Sequence, residues 1–268
     1  MAYSKGKCAV ITGAGSGIGR ALALQLNREG CELYISDINA TTLAETAELL
    51  EQQAIACDQQ VLDVADPAAV TAWADRIGRD RSSVDIVVNN AGVGLAGLAA
   101  ENEYEDIQWL MGINLWGVIH GTRAFLPLLQ ASTQGHLVNL SSIFGFIGVP
   151  TQSAYNAAKF AVRGYTEAVR IELMDSNVHV CCVHPGGIIT NIARDSRGGD
   201  ASPDERDAQF RGMARTSPES AAAQIIRAVE KRKKRLLIGL DARLIAFVTW
   251  IAPVNYPRLL GFFFRKAL

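Results

Sequence analysis

Tyr155 and Lys159 lie four residues apart in "SAYNAAKFAV", Ser153 to Val162. Residues at i and i+4 share one face of a helix. An ammonium beside a phenol favours the phenolate and lowers the tyrosine pKa from about 10 toward working pH. A phenol tuned in this way takes a proton from an alcohol or gives one to a carbonyl. Taken alone, the pair has a plainer account, because helix lysines commonly snorkel and helix tyrosines commonly pack. Its neighbours decide between the two. "VNLSS" ends an apolar, strand-like run with Ser141 and Ser142. A strand end of this kind puts a hydroxyl on the carboxyl edge of a sheet, where open α/β sheets bind ligands.

A second group suits a dinucleotide. "TGAGSGIG", Thr12 to Gly19, follows an apolar run and opens a helical one. Gly13 permits a sharp turn out of a strand, and Gly17 and Gly19 allow backbone to approach a pyrophosphate. The helix start beyond them offers unpaired N–H groups and a positive dipole end. A tight turn with no ligand is the bland alternative. The spacing is Gly-x-x-x-Gly-x-Gly, which departs from the common Gly-x-Gly-x-x-Gly. Asp37 ends the second apolar run, about twenty residues on, where a carboxylate can accept from ribose hydroxyls and repels a 2′-phosphate. Its bland reading is a helix cap or a solvated acid. Ser16 is uncharged, Ile38 follows Asp37, and Arg20 is the one nearby cation. The balance favours NAD and leaves NADP open.

The elements that must position these residues are legible as alternating runs. "KCAVIT", "CELYIS", "IACDQQVLDV", "VDIVVNN", "GHLVNLSS", "VHVCCVHPG" and "RLLIG" read as strands, each separated from the next by a helical pattern. Apolar strands spaced by helices predict βα repeats and a parallel sheet covered on both faces. The expected fold class is α/β, a doubly wound parallel sheet of the Rossmann type, as a single domain over residues 1–268. Residues 191–217 are polar, charged and rich in Gly and Ser, and read as a mobile surface loop serving as a substrate lid. Residues 241–268 form an apolar tail.

"VVNNAG" (Asn89–Gly92), "INLWG" with Asn114, "VNLSS", Tyr155 and Lys159, and "HPGGIIT" with Pro185, Gly186 and Thr190 follow the glycine turn in order. The ordered set resembles the short-chain dehydrogenase/reductase family from Lys7 to about Thr190, with a fainter match at Arg235–Gly239. The resemblance implies an NAD(P)-dependent oxidoreductase acting on CH–OH groups. It implies Tyr155 as acid/base and Lys159 as the group that also binds the nicotinamide ribose. Ser142 rather than Ser141 becomes the substrate-orienting serine, because it stands thirteen residues before Tyr155. Asn114 is implied to anchor a water in a proton relay. The implied cofactor contacts are Gly13, Ser16, Gly17, Ile18, Gly19, Asp37, Asp63, Val64, Asn90, Ala91, Gly92, Tyr155, Lys159, Pro185, Gly186, Ile188 and Thr190. Within that set, Asp63 and Val64 flank the adenine, Asn90 lies along the cofactor, and Ile188, by its backbone, and Thr190 meet the carboxamide. A homodimer or homotetramer is implied, with helices around 102–130 and 155–173 at the interface.

Composition narrows the rest. Of 268 residues, 49% are hydrophobic and 20% charged, which supports a large core and argues against disorder. A net charge of -1 gives no case for nucleic acid. The five cysteines match no CxxC spacing and carry no nucleophile signature, and the four histidines are scattered, so no metal is expected. Buried reduced thiols and a short polar start predict a cytoplasmic protein with no signal peptide. Lys231–Arg235 reads first as the solvated end of a helix. For the tail, with Phe247, Trp250, Tyr256 and Phe262–Phe264, three uses compete: the roof of a substrate pocket, an oligomer interface, or peripheral contact with a membrane. Phe144 and Phe146 beside Ser142 suggest a hydrophobic secondary alcohol, such as a steroid or fatty alcohol, more than a sugar. The competing functions are an NADP-linked carbonyl reductase, a membrane-peripheral enzyme modifying lipids or steroids, and a cofactor-binding regulator without turnover.

Overall fold

The computed structural model describes residues 2–51 and 56–261. Seven strands form one parallel sheet: β1 Cys8–Thr12, β2 Glu32–Asp37, β3 Cys57–Val61, β4 Ile86–Asn89, β5 Gly135–Leu140, β6 Val178–Pro185 and β7 Arg235–Ile238. Their spatial order is β3-β2-β1-β4-β5-β6-β7. The order reverses between β1 and β4, and that switch point opens a crevice at the carboxyl edge. Each strand of the described sheet was anticipated as an apolar run. Ile55, which begins the run read for β3, lies outside the described residues.

Period-two alternation sends side chains to two cores. Ala9, Ile11, Ile86 and Val88 pack with α1 (Gly17–Arg28), α2 (Ala40–Glu51) and α8 (Pro218–Glu230) on one face. Cys8, Val10, Val87 and Leu137 pack with α3 (Pro67–Asp80), α5 (Gly117–Ala131) and α6 (Ser153–Glu172) on the other. β3 departs from the fully apolar pattern, since CDQQV is only partly buried. It is an edge strand, with one side open to water.

α4 (Tyr104–Met111) runs into α5 through a π-helical turn, Gly112–Trp116. Single π turns interrupt a helix and are frequent at functional sites. Asn114 sits in this one and is fully buried.

The 191–217 segment differs from expectation. It contains α7, Pro203–Met213. Ser202 caps the helix by accepting from the Glu205 amide, and Glu205 returns a bond to the Ser202 amide. Ser-Pro-Asp-Glu is a capping box with proline at the first helical position. The polar composition hid that signal. Arg206 then donates to the carbonyls of Ala193, Ser196, Gly198 and Ala201, which fixes the approach to the helix. Beyond β7 the chain forms α9, Leu240–Ile251, and α10, Tyr256–Leu259. The tail residues Phe262–Phe264 lie outside the described residues.

A buried polar chain crosses the sheet. Asn89 Nδ2 donates to Asn139 Oδ1 at 2.8 Å, and Asn139 Nδ2 donates to Thr166 Oγ1 at 3.1 Å. All three residues are buried. Such groups must be paired, because an orphaned buried amide costs roughly 1–3 kcal/mol. Asn139→Ala removes the middle link, leaving Asn89 with its longer bonds to the Val118 carbonyl and Thr122 at 3.4 and 3.3 Å, and Thr166 with the Val162 carbonyl at 2.6 Å. We expect it to lower unfolding free energy by about 2–3 kcal/mol, measured by urea denaturation with an unchanged m-value.

Candidate active site

Five strand ends, those of β1, β2, β4, β5 and β6, meet at the carboxyl edge. Thr12 ends β1, and its hydroxyl accepts from the amides of Asn90 at 3.0 Å and Ala91 at 3.1 Å. Asn90 Nδ2 returns bonds to the Thr12 and Gly13 carbonyls at 2.9 and 3.0 Å. The glycine turn is thereby locked to the loop after β4. Gly13 has φ +66, and a Cβ there would stand 2.8 Å from Ala91 Cα, so only glycine fits. The Asn90 side chain braces the turn. Gly17 has φ +51 and faces Thr190, whose Cγ2 would be 3.0 Å from a Cβ at Gly17. The stretch Pro185–Thr190 after β6 thus lies opposite the start of α1. Ile18 and Gly19 lie in the first turn of α1, and Ser16, exposed, precedes the helix with no side-chain bond into that turn.

Asp37 ends β2 beside this turn. Its Oδ2 accepts from the Gly15 amide at 2.8 Å and its Oδ1 from the Asn39 amide at 3.0 Å. Sequence reading passed over Gly15, and its signal was simply its place within the glycine run. Arg20 is engaged through Nε and Nη2, and its Nη1 makes no hydrogen bond among the described residues. It donates to Thr46 Oγ1 at 2.9 Å, to the Gly15 and Thr42 carbonyls at 2.5 and 3.0 Å, and to Glu45 at 2.8 Å. Asp63 and Val64 do not act as a pair. Asp63 is exposed, whereas Val64 packs inward, where its Cγ2 would be 2.7 Å from a Cβ at Gly117.

Ser141 and Ser142 separate cleanly. Ser141 donates to the Lys159 carbonyl at 2.8 Å and so ties β5 to α6. Ser142 Oγ accepts from the Phe144 amide at 3.1 Å and lies beside the Tyr155 hydroxyl, whose pKa it lowers. Lys159 is 4% exposed and donates to the Leu140 carbonyl at 3.1 Å. Its Nζ lies 5.6 Å from the centre of the Tyr155 ring. Gly92 packs against both Asn114 and Lys159, because a Cβ there would be 3.2 Å from Asn114 Oδ1 and 3.5 Å from Lys159 Nζ. The Asn114 side chain accepts from the Val93 amide at 2.8 Å and donates to the Val93 carbonyl at 2.9 Å.

The electrostatics differ from what the spacing alone suggests. Burial pushes the Tyr155 phenol up to about 12, opposed by the Ser142 hydroxyl. Burial draws Lys159 down to about 8, opposed by the neighbouring Cys182. Desolvation disfavours the charged form of each. The ammonium is turned toward the Leu140 carbonyl, so it does not bring the phenol down to neutrality here. With a value of about 8, Lys159 still keeps its proton at neutral pH.

The loop after β5 was read as carrying Phe144 and Phe146 into the site. Phe144 meets Tyr155 edge-on, with ring centres 6.0 Å apart. Phe146 turns away, packing on His184 at 4.6 Å and under the Arg163 guanidinium at 4.1 Å. Asn156 holds the loop: its Nδ2 donates to the Phe144 and Ile147 carbonyls at 2.8 and 2.7 Å, and its Oδ1 accepts from the Val149 amide at 3.0 Å. The sequence pattern around Tyr155 and Lys159 assigned Asn156 no role. An asparagine inside a helix is unfavourable unless it bonds elsewhere, and that was the available signal. Tyr256 of α10 accepts from the Gly148 amide at 2.9 Å, which pins the far end of the same loop. Among the described residues, no cluster of three or more His, Cys, Asp or Glu is placed to hold a metal ion.

Comparison with known proteins agrees with this arrangement. The sequence profile of the short chain dehydrogenase family matches residues 7–200. An oxidoreductase of Mycobacterium tuberculosis named SadH is 45% identical over 265 residues, covering 97% of this chain and 96% of that protein. A short-chain dehydrogenase/reductase from Burkholderia phymatum, solved in complex with NAD, superimposes with a TM-score of 0.86 at 29% identity and covers 94% of this chain and 95% of its own. An alcohol dehydrogenase from Thermococcus sibiricus, solved with 5-hydroxy-NADP, gives a TM-score of 0.76 at 25% identity, covering 87% and 95%. The strand order, the glycine turn and the Ser142–Tyr155–Lys159 edge therefore occur in a chain that belongs to the short-chain dehydrogenase/reductase family of oxidoreductases.

Proposed function

We propose that the protein interconverts a hydrophobic secondary alcohol and its ketone, with NAD as the favoured hydride carrier. The carrying observation is the Ser142–Tyr155–Lys159 group on the sheet edge that faces the glycine turn. The residues present suit a dinucleotide. Gly13 and Gly17 leave a surface without side chains, Ser16 opens α1 without capping it, and Asp37 stands at the end of β2. The adenosine ribose would meet Asp37, the pyrophosphate the turn, and the nicotinamide end Lys159 and the Pro185–Thr190 stretch. Asp37 supports NAD, since a carboxylate at the end of β2 accepts from ribose hydroxyls and repels a 2′-phosphate. Bound nicotinamide supplies the hydride acceptor or donor.

The chain's own residues do the rest. Ser142 orients the substrate oxygen. Tyr155 accepts the hydroxyl proton in oxidation and returns it in reduction. Lys159 supplies the positive charge that supports the phenolate as it forms. The Asn114 side chain is committed to Val93, so its part in a proton relay falls to its backbone in the π turn. Apolar neighbours of Tyr155, among them Phe144, Val93, Leu95 and Trp109, support an apolar substrate. α7 and the bridge from Leu95 to Arg197 support a lid over that wall. The buried thiols of Cys8, Cys181 and Cys182, each pushed up to about 12 by burial, fit a reducing cytoplasm. No described helix is long and apolar enough to cross a membrane.

A homodimer or homotetramer with the helices around 102–130 and 155–173 at the interface is part of this reading. Trp116 is 52% exposed and Phe160 43%, on the helices that the family resemblance places at an interface. A second reading of the tail rests on α9 and the residues after it, where Leu240, Trp250 and Val254 are 81%, 78% and 82% exposed. These residues point outward rather than over the site, which favours a peripheral surface over a pocket roof.

Tyr155→Phe should lower turnover of secondary alcohols by at least about a hundredfold while NADH binding, followed by fluorescence, persists. Near-normal turnover would rule out the mechanism, and tighter binding of NADPH than NADH would reverse the cofactor assignment. Phe160→Glu should lower the oligomeric state in light scattering. Sedimentation with anionic liposomes, with and without residues 244–268, separates the peripheral-membrane reading from a free enzyme.

Lys159 generates a pH signature. Its pKa of about 8 lies below the ordinary 10.5, so between those values the unfolded chain binds more protons and stability rises with pH. Lys159→Met removes the burial penalty. At pH 7 it should be about 3 kcal/mol more stable than wild type, and the difference should vanish toward pH 10.5 in denaturant titrations.

A further inference from the structure

Pro185–Thr190 leaves β6 and turns across the carboxyl edge of the sheet. Gly186 continues the ladder by donating to the Ile238 carbonyl at 2.9 Å. The Gly187 carbonyl accepts from the Arg215 and Thr216 amides at 3.2 and 3.3 Å, and the Ile189 amide donates to the Thr216 carbonyl at 2.9 Å. One side chain among the described residues hydrogen-bonds to the backbone of 186–190. Asp241, in the first turn of α9, accepts from the Gly187 amide through Oδ2 at 2.7 Å. A Cβ at Gly186 would overlap all three atoms of that carboxylate. Gly186 lacks a side chain where the Asp241 carboxylate sits.

We propose that Asp241 is a positioning residue for the cofactor. It grips the Gly186–Gly187 turn and so sets where the backbone of Ile188 and the Thr190 side chain stand. Ile188 is 3% exposed, so its side chain anchors the turn from inside and only its backbone can meet a ligand. Thr190 stands over Gly17, across the crevice. A bond from a carboxylate to an amide is among the stronger hydrogen bonds. It comes from the C-terminal helix, outside the segment matched by the family profile, which ends at residue 200. This inference rests on the dinucleotide reading of the crevice.

The test is NADH affinity, read by fluorescence titration of the full chain, alongside thermal melting. Asp241→Ala should weaken NADH binding by about tenfold with little change in melting temperature. Asp241→Asn keeps an acceptor oxygen in the same place and should bind NADH within about threefold of wild type. Tyr155→Phe serves as the reference that loses turnover and keeps binding. If Asp241→Ala binds NADH as wild type does, or if Asp241→Asn is as weak as Asp241→Ala, Asp241 does not position the turn through this bond. If Asp241→Ala fails to fold, the asparagine variant decides alone, and a tenfold loss there overturns the proposal. Failure of wild type itself to bind NADH or NADPH would instead overturn the dinucleotide reading.

Discussion

A lysine buried behind a tyrosine is the constraint on which the site depends. Desolvating an ammonium is expensive, and the cost is tolerable only where the backbone supplies an acceptor. The Leu140 carbonyl, the last of β5, does so. That single contact requires β5 to end where it does and α6 to run past that end. Ser141 secures the same junction by bonding the Lys159 carbonyl. The strand end then has one hydroxyl turned into the structure and the next, on Ser142, turned toward Tyr155. Adjacent serines on a strand must face opposite ways, so holding one aims the other.

The loop that follows carries the same logic outward. His184 on β6 bonds the Ser142 carbonyl at 3.1 Å and meets Phe146 edge-on. Burial draws His184 down to about 4, so it remains neutral and its contact does not change near neutral pH. Asn156 and Tyr256 hold the loop from α6 and α10. Phe144 is the aromatic left facing Tyr155. The apolar wall is therefore set by a polar clamp behind it.

Much of this was legible in the chain. Seven apolar runs became seven strands, and the glycine turn, Ser142, Tyr155 and Lys159 all came to one edge. Period and punctuation are local signals, and parallel strands covered on both faces express them strongly. What was missed depends on contacts far apart in sequence. Nothing near Asn90 tells that its amide reaches Thr12. Nothing in "FGF" tells which phenylalanine meets Tyr155. The pKa of Tyr155 was misjudged for the same reason: spacing gives proximity to Lys159, but burial and the Leu140 carbonyl decide where the ammonium points. α7 is the exception, because its capping box was local and was masked by the polar composition around it.

The end of β2 shows how hydrogen-bonding groups are held before any ligand arrives. Asp37 has two oxygens and about four lone-pair sites, of which the Gly15 and Asn39 amides take two. Both oxygens thus retain capacity for ribose hydroxyls, and the two amides hold the carboxylate in place without neutralising it. Arg20 has five N–H donors in a fixed fork, and it already serves Thr46, two carbonyls and Glu45. Its Nη1 makes no hydrogen bond among the described residues, so the fork is held by one arm while the other stays uncommitted. The position of Arg20 is therefore fixed by the Gly15 and Thr42 carbonyls, which join the glycine turn to α2. Altering Glu45 alone would leave those two bonds in place and move the guanidinium little.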